Sequence, residues 1–316
     1  MSKTFPLWLA VLAIATTNNS LAQTNSNQTP RRPGPPPASQ SHAASERMFN
    51  GWKTQQPPKH IIGNIYYVGP GGVSSWLITT PEGNILIDTT FEECGPQICT
   101  NIEKLGFKVS DIKFILNTHA HVDHAGGHAA MKQRTGAQIV VSAADAHLME
   151  TGGADDFSPF PKDLLTYKPV KPDRIIQDGD TVSLGGVTLT AHLTPGHTKG
   201  ATTWTMPLQA DGKTYQVLFF SSTSIADPTP LLHNPAYPNI VEDYEATFKK
   251  LKSLPCDIFL GPHADQFGLA RKLARLDAGA SPNPFIDPEG AQKIIADAEQ
   301  VFLRQLALEK KAEASN

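Results

Sequence analysis

Several things are scarce in this chain of 316 residues, and each scarcity excludes something. Cysteine occurs three times, too few for a disulfide scaffold. Charge makes up 18% of the residues and nearly cancels: 27 Lys and Arg against 30 Asp and Glu give a net charge of −3. No basic excess or basic cluster points to a nucleic-acid partner. Apolar runs are short. The N-terminal stretch Pro6 to Ala15 (PLWLAVLAIA) holds ten residues, fewer than the roughly 20 that a bilayer-spanning helix needs. No period of about 20–50 residues recurs, which excludes a repeat architecture. What is present is 24 Gly, 26 Pro and 40% hydrophobic residues, enough to core one large domain or two small ones.

The N-terminus reads as a processing segment. Lys3 supplies a positive start, the apolar stretch follows, and Ser20-Leu21-Ala22 gives a small-residue cleavage pattern. Residues 1–22 are therefore expected to be a signal peptide, with a periplasmic or secreted location and no membrane contact after its removal. Residues 23–47 are proline-rich and poor in large apolar side chains, so a disordered tether is expected there, with a catalytic domain over 48–316. An oxidising compartment would permit one disulfide. Cys94 and Cys99, five apart in a turn-like CGPQIC segment, are the natural pair, and three free thiols are the alternative.

Beyond residue 48 the strand and helix signals alternate. Strands are expected at His60 to Val68, Ser75 to Thr79, Asn84 to Asp88, Lys113 to Asn117 and Ala137 to Val141. More follow near 173–176, 181–184, 187–194, 201–206, 216–221 and Asp257 to Leu260. Helices are expected at Gln97 to Leu105, Ala125 to Arg134, Ala143 to Glu150, Val241 to Ser253, Gly268 to Asp277 and after Pro288. A long loop with four Pro and the aromatics Phe157, Phe160 and Tyr167 occupies 151–172; loops of this length are often functional. The pattern implies an α/β protein with layered sheets.

One segment carries the chemistry. In Asn117-Thr118-His119-Ala120-His121-Val122-Asp123-His124, four potential ligands fall within six residues, directly after a buried apolar strand. Imidazole and carboxylate are the groups that catalytic zinc takes. His119 and His121, two apart, point the same way on an extended backbone, while Asp123 and His124 sit at a turn into a helix and can face a second ion. His197 in Thr194-Pro195-Gly196-His197-Thr198 and His263 in Leu260-Gly261-Pro262-His263 also follow strands, where sheet proteins gather their sites. His42, His60, His128, His147, His192 and His233 receive no role, with His128 and His147 expected on helix surfaces.

HAHVDH, TPGHT and GPH, in that order over about 60–308, resemble the metallo-β-lactamase superfamily. The resemblance implies a four-layer αββα sandwich, with His119, His121 and His197 on a first zinc and Asp123, His124 and His263 on a second, two Zn2+ per subunit. Superfamily members that are thioesterases or lactonases carry an Asp bridging both metals, after a strand that here reads Val217-Leu218-Phe219-Phe220-Ser221-Ser222-Thr223-Ser224. Ser stands where that Asp is expected, and no Cys replaces it. This resembles the third subclass of class B β-lactamases, as do the stretches Asn234-Pro235-Ala236-Tyr237-Pro238 and Leu254-Pro255-Cys256-Asp257. Members of the subclass often pair a Cys near Cys256 with a later one, and this chain has none.

The resemblance thus implies a hydrolase opening the lactam of penicillins, cephalosporins and carbapenems by a zinc-activated hydroxide, with antibiotic resistance as the consequence; a monomer is expected. Asp123 would anchor the second zinc and orient the nucleophile. Ser222 and Ser224 would bind the carboxylate of the small-molecule β-lactam substrate. Trp52, Phe157 and Phe160 are either apolar cleft walls or ordinary loop packing. The alternatives are a metal-dependent lactonase or thioesterase, and a non-catalytic secreted zinc-binding protein. The open positions left by two three-ligand sets oppose the last, since structural zinc is usually saturated by four protein ligands.

Overall fold

The computed structural model describes residues 42–226 and 228–315. The expected signal peptide lies outside them, as does most of the expected tether. Its last residues do not fit that expectation: a helix α1 spans His42–Trp52 and buries Ser45 and Phe49. Phe49 stacks on Trp52 and packs on Phe91 and Phe160, so four aromatics anchor a helix whose first residues, 42–47, read as unstructured by composition alone.

Among the described residues, twelve strands form two sheets. The first holds seven, in spatial order β1 (Lys59–Ile62), β2 (Ile65–Tyr67), β3 (Trp76–Thr80), β4 (Gly83–Ile87), β5 (Ile112–Leu116), β6 (Gln138–Ser142) and β7 (Arg174–Ile176). The second holds five, in the order β12 (Ile258–Leu260), β11 (Lys213–Phe219), β10 (Thr202–Ala210), β9 (Val187–Leu193) and β8 (Thr181–Leu184). The single strand expected over 60–68 is instead the β1–β2 hairpin. Gly63, at φ 55°, turns the chain there.

Side-chain alternation explains the layering. Ile85, Ile87, Leu116 and Val140 face the second sheet, while Leu86, Ile115, Ile139 and Val141 face the other way. Both faces of the first sheet are therefore buried, and its parallel strands read as continuous apolar runs. Its outer face is covered by α2 (Gly95–Lys104), α4 (His128–Thr135) and α5 (Ala143–Glu150), through Ile98, Ile102, Met131 and Met149. Between the sheets Trp76 meets Phe219 edge-on at 6.4 Å. The second sheet is covered by α7 (Ile240–Ser253) and α9 (Pro288–Glu313); Phe302 packs on Tyr244 and Phe248 at 5.2 and 5.7 Å, and α9 lies on β12. Each buried side chain of this size contributes about 1.5–3 kcal/mol. The order is helices, sheet, sheet, helices: the expected αββα sandwich.

Inside this frame the free-thiol alternative holds and one expectation fails. Cys94 and Cys99 are free, as is Cys256. Cys94 leads directly into α2, and residues five apart on a helix point about 140° away from each other. Cys94 packs with Phe49 and Phe91, while Cys99 packs with Ile98 and Ile102 in a different cluster. His128 is not on a surface but fully buried. As the first residue of α4 it points inward, within 2.7 Å of Thr89 Oγ1.

Candidate metal centre

Strands β4, β5 and β6 run parallel, so their C-terminal ends open on one edge; β11 and β12 do the same in the second sheet. The chemistry-bearing side chains gather on this edge. Past β5, the chain is pinned by Asn117 N–H donating to Val140 O, by Trp204 Nε1 donating to Asn117 O and by Thr202 N–H donating to Thr118 O. His121 remains extended at φ −72°, ψ 157°, and the short helix α3 (Val122–Ala125) starts after it. Extended and helical backbone meeting here split the six-residue motif into two directions. Gly127 follows because a Cβ there would lie 2.8 Å from Thr89 O. Gly196, at φ 137°, brings His197 in beneath Tyr244, whose ring a Cβ would strike at 2.7 Å.

All six expected ligands converge. Nδ1 of His121 lies 3.1 Å from Nε2 of His197, and His119 completes that group. Oδ2 of Asp123 lies 3.3 Å from Nε2 of His124 and 3.3 Å from Nε2 of His263; those two nitrogens are 3.5 Å apart. His119 also stands close enough to Asp123 and His124 to join either group. Zinc–nitrogen bonds of about 2.0–2.1 Å in a tetrahedron set ligand atoms about 3.3 Å apart, and the pairs just named stand 3.1 to 3.5 Å apart. Nε2 of His119 is buried without a hydrogen-bond partner, while its Nδ1 faces Thr118 Oγ1 at 3.2 Å. An orphaned buried nitrogen aimed into a cluster of further ligand atoms fits a bound cation.

The electrostatics of His119, His197 and Asp123 agree with that fit, while those of His124, taken without a cation, favour its protonated form. Burial and the neighbouring imidazoles push His119 well below its ordinary pKa, and His197 likewise, which favours the neutral ligating form. Burial alone would raise Asp123, but His124 and His263 hold it well below the carboxylate range. Burial would lower His124, but Asp123 and Asp88 outweigh it and push the ring up to about 10.

Several supporting residues had escaped the sequence reading. Asp88, directly after β4, accepts from Thr118 N–H at 2.8 Å and Thr118 Oγ1 at 2.5 Å, and lies 2.9 Å from His124 Nδ1. Asp145 on α5 accepts from Ala120 N–H, Thr198 Oγ1 and Gly200 N–H, tying the first histidine loop to the loop of His197. Burial raises its pKa, partly against those donors. Tyr167 OH donates to Ala120 O at 2.7 Å. Ser221 sits under the site, donating to Thr118 O at 3.0 Å. Ser222 and Ser224 share a hydroxyl contact of 2.9 Å, and Ser224 O accepts from His197 Nδ1 at 2.8 Å. Trp52 lies over His263 with ring centres 4.5 Å apart. Phe157 packs edge-on with Tyr237, and Phe160 packs on Phe49. The remaining His residues have partners elsewhere: His42 with Asp163, His60 with Gly63, His147 with Asp155, His192 with Thr205 and His233 with Glu313.

The metallo-β-lactamase superfamily model matches residues 68–263. The chain belongs to the metallo-β-lactamase superfamily. It is a hydrolase of that superfamily, whose members are metal-dependent. The native FEZ-1 metallo-β-lactamase of Legionella gormanii is 43% identical, with a TM-score of 0.80 covering 82% of this chain and 98% of that one. BJP-1, a subclass B3 metallo-β-lactamase of Bradyrhizobium japonicum, is 44% identical, with a TM-score of 0.77 over 83% and 97% of the two chains. Among curated sequences, a hydroxyacylglutathione hydrolase of Hyphomonas neptunium is 31% identical over 140 residues, 44% of this chain. An N-acyl homoserine lactonase of Bacillus cereus is 32% identical over 125 residues, 39% of this chain. The chain spans only 41% and 42% of the lengths of these two curated relatives.

Proposed function

We propose that this superfamily hydrolase opens the β-lactam amide of penicillins, cephalosporins and carbapenems, and so confers resistance to them, with two zinc ions per chain. His119, His121 and His197 hold the first ion, and Asp123, His124 and His263 the second. The observation that carries the substrate choice is the structural likeness to the FEZ-1 lactamase, which is 43% identical over 98% of that chain; the sequence match to the hydroxyacylglutathione hydrolase is 31% identical over 41% of that protein. Ser221 supports the same choice. Its hydroxyl donates to the Thr118 carbonyl, and no carboxylate occupies the strand end where thioesterases and lactonases carry a bridging Asp. Five imidazoles and one carboxylate suit zinc.

When bound, the ions supply Lewis acidity and lower the pKa of a coordinated water toward about 7. The chain's own residues set the geometry around that chemistry. Asp123 is buried, ionised and shared between His124 and His263 through one oxygen. Asp88 holds His124 by Nδ1, which leaves its Nε2 free to face Asp123 and His263. Asp145 clamps the loops that carry His121 and His197. Ser222 and Ser224 present hydroxyls beside His197, where they bind the substrate carboxylate. A signal peptide at residues 1–22 would deliver the enzyme to the periplasm or the medium. Among the described residues, no helix is long and apolar enough to cross a membrane.

The test is a substrate panel with and without a chelator. A chromogenic cephalosporin should be opened by the zinc-loaded enzyme and spared after chelation. Turnover of a homoserine lactone or a glutathione thioester, with no β-lactam opened, would overturn the substrate and leave the hydrolase.

A further inference from the structure

Two buried polar atoms near the site face each other without partners. One is Nε2 of His121, the other Oδ2 of Asp156. They lie 3.5 Å apart, at side-chain exposures of 11% and 1%. Asp156 belongs to the segment between α5 and α6 (Lys162–Leu165). That segment fixes the carboxyl from its own side: Oδ1 accepts Ser158 N–H at 2.7 Å, Lys162 Nζ donates to the Asp156 carbonyl, and Phe157 packs on Tyr237. One carboxylate oxygen is therefore spoken for, and the other, without a partner, lies 3.5 Å from the imidazole nitrogen.

We infer that Asp156 is the positioning residue of His121: its Oδ2 accepts the Nε2 proton and holds the ring in the tautomer whose bare Nδ1 faces His197 Nε2. The inference rests on the reading that His121, with His119 and His197, holds the first metal. Neutral imidazole carries one proton, and a ligand nitrogen must be bare. Nδ1 stands 3.1 Å from His197 Nε2 inside the cluster, so the proton belongs on Nε2. In that buried position Oδ2 of Asp156 is the facing acceptor. The long loop after α5 thus bears on metal retention.

The experiment uses the full chain loaded with zinc, as wild type, Asp156→Ala and Asp156→Asn. Affinity for each of the two ions is measured by competition with a chromogenic chelator, and imidazole N–H protons are observed by NMR. In Asp156→Ala one of the two affinities should fall about 10–100-fold, as removal of a ligand's hydrogen-bond acceptor typically does. The other should hold, and a downfield imidazole N–H resonance should be lost. Asp156→Asn should lie between, because its single amide oxygen can serve Ser158 or His121 but not both. If the alanine variant does not fold, the asparagine variant carries the same two readouts. Unchanged affinities and an unchanged resonance overturn the inference. A parallel fall at both sites, tracking a lower melting temperature of the metal-free protein, also overturns it, because that is a merely structural role. A wild-type chain that binds no zinc overturns the metal assignment itself; two zincs with indifferent Asp156 variants overturn only this step.

Discussion

Oδ2 of Asp88 lies 2.9 Å from Nδ1 of His124, across 36 residues of chain, with the two side chains 3% and 0% exposed. Asp88 reaches that position at φ 56°, a left-handed conformation costing on the order of 1–3 kcal/mol for a residue with a Cβ. Its two oxygens also take Thr118 N–H and Oγ1, so three hydrogen bonds offset the strain and lock the first residues past β5 to the end of β4. The same carboxylate settles which nitrogen of His124 keeps its proton when a cation takes the other.

Replacing Asp88 should therefore separate stability from metal binding. Asp88→Ala leaves Thr118 and His124 without their acceptor and should cost about 3–5 kcal/mol. Asp88→Asn tolerates the left-handed backbone but turns one donor toward an oxygen-seeking contact, and should weaken one zinc about 10–100-fold. Thermal melts of the metal-free protein and chelator competition measure the two effects. Wild-type zinc affinity in the asparagine variant would sink the assignment of Asp88 to His124.

Ser224 offers a cleaner substitution, because its carbonyl is the shorter of its two contacts with His197 Nδ1, at 2.8 Å against 3.3 Å for the hydroxyl. The carbonyl accepts from His197 Nδ1 and from Tyr244 OH, so it survives removal of the hydroxyl. Ser224→Ala should keep both zincs and kcat. A lost hydrogen bond to a charged group is worth about 1.5–3 kcal/mol, so KM for a carboxylate-bearing β-lactam should rise at least tenfold. Steady-state kinetics decide it. A fall in kcat with unchanged KM would place the hydroxyl outside the carboxylate subsite.

What could be read from the sequence follows from where each residue's partners lie. The histidine motif was legible because its members are neighbours in the chain. His197 and His263 were legible because strands lead into them. Asp88, Asp145 and Asp156 were not, since each acts on groups at least 25 residues away and no local pattern marks a carboxylate as buried. Asp88 did leave a trace, a charged residue closing the apolar run Ile85 to Ile87. The hairpin of β10 and β11 was underread in the same way: Asp211-Gly212, at φ 50° and 72°, is the two-residue turn that carries β10 on to Ala210. Helix α1 was lost because its aromatics are sparse and meaningful only against Phe91 and Phe160.

The free thiols give a redox prediction. Cys94 and Cys99 project into separate clusters, so an oxidant has no pair to close. Thiol titration in denaturant should find all three cysteines reduced, and a reductant should leave the melting temperature unchanged. A single titratable thiol would overturn this arrangement of α2.

The last helix gives a pH prediction. Asp287 caps α9 by accepting from Gly290 N–H at 3.1 Å, and pairs with the buried Lys272 at 3.2 Å. Partial burial pushes its carboxyl up, but the Lys272 hydrogen bond and charge outweigh that and hold it below the usual range. A depressed native pKa means the contribution is fully present above the unfolded value of about 3.9 and is lost as pH falls through the native value. Asp287→Asn keeps the cap and loses the charge, so its melting temperature should trail the wild type near about pH 6, the gap closing below about pH 4. Asp287→Ala loses the cap too and should cost about 1 kcal/mol more near neutral pH. Melting curves from about pH 6 to about pH 2 measure both. A gap between wild type and Asp287→Asn that stays constant over that span would show that the charge on Asp287 does not stabilise the fold, leaving only its capping oxygen.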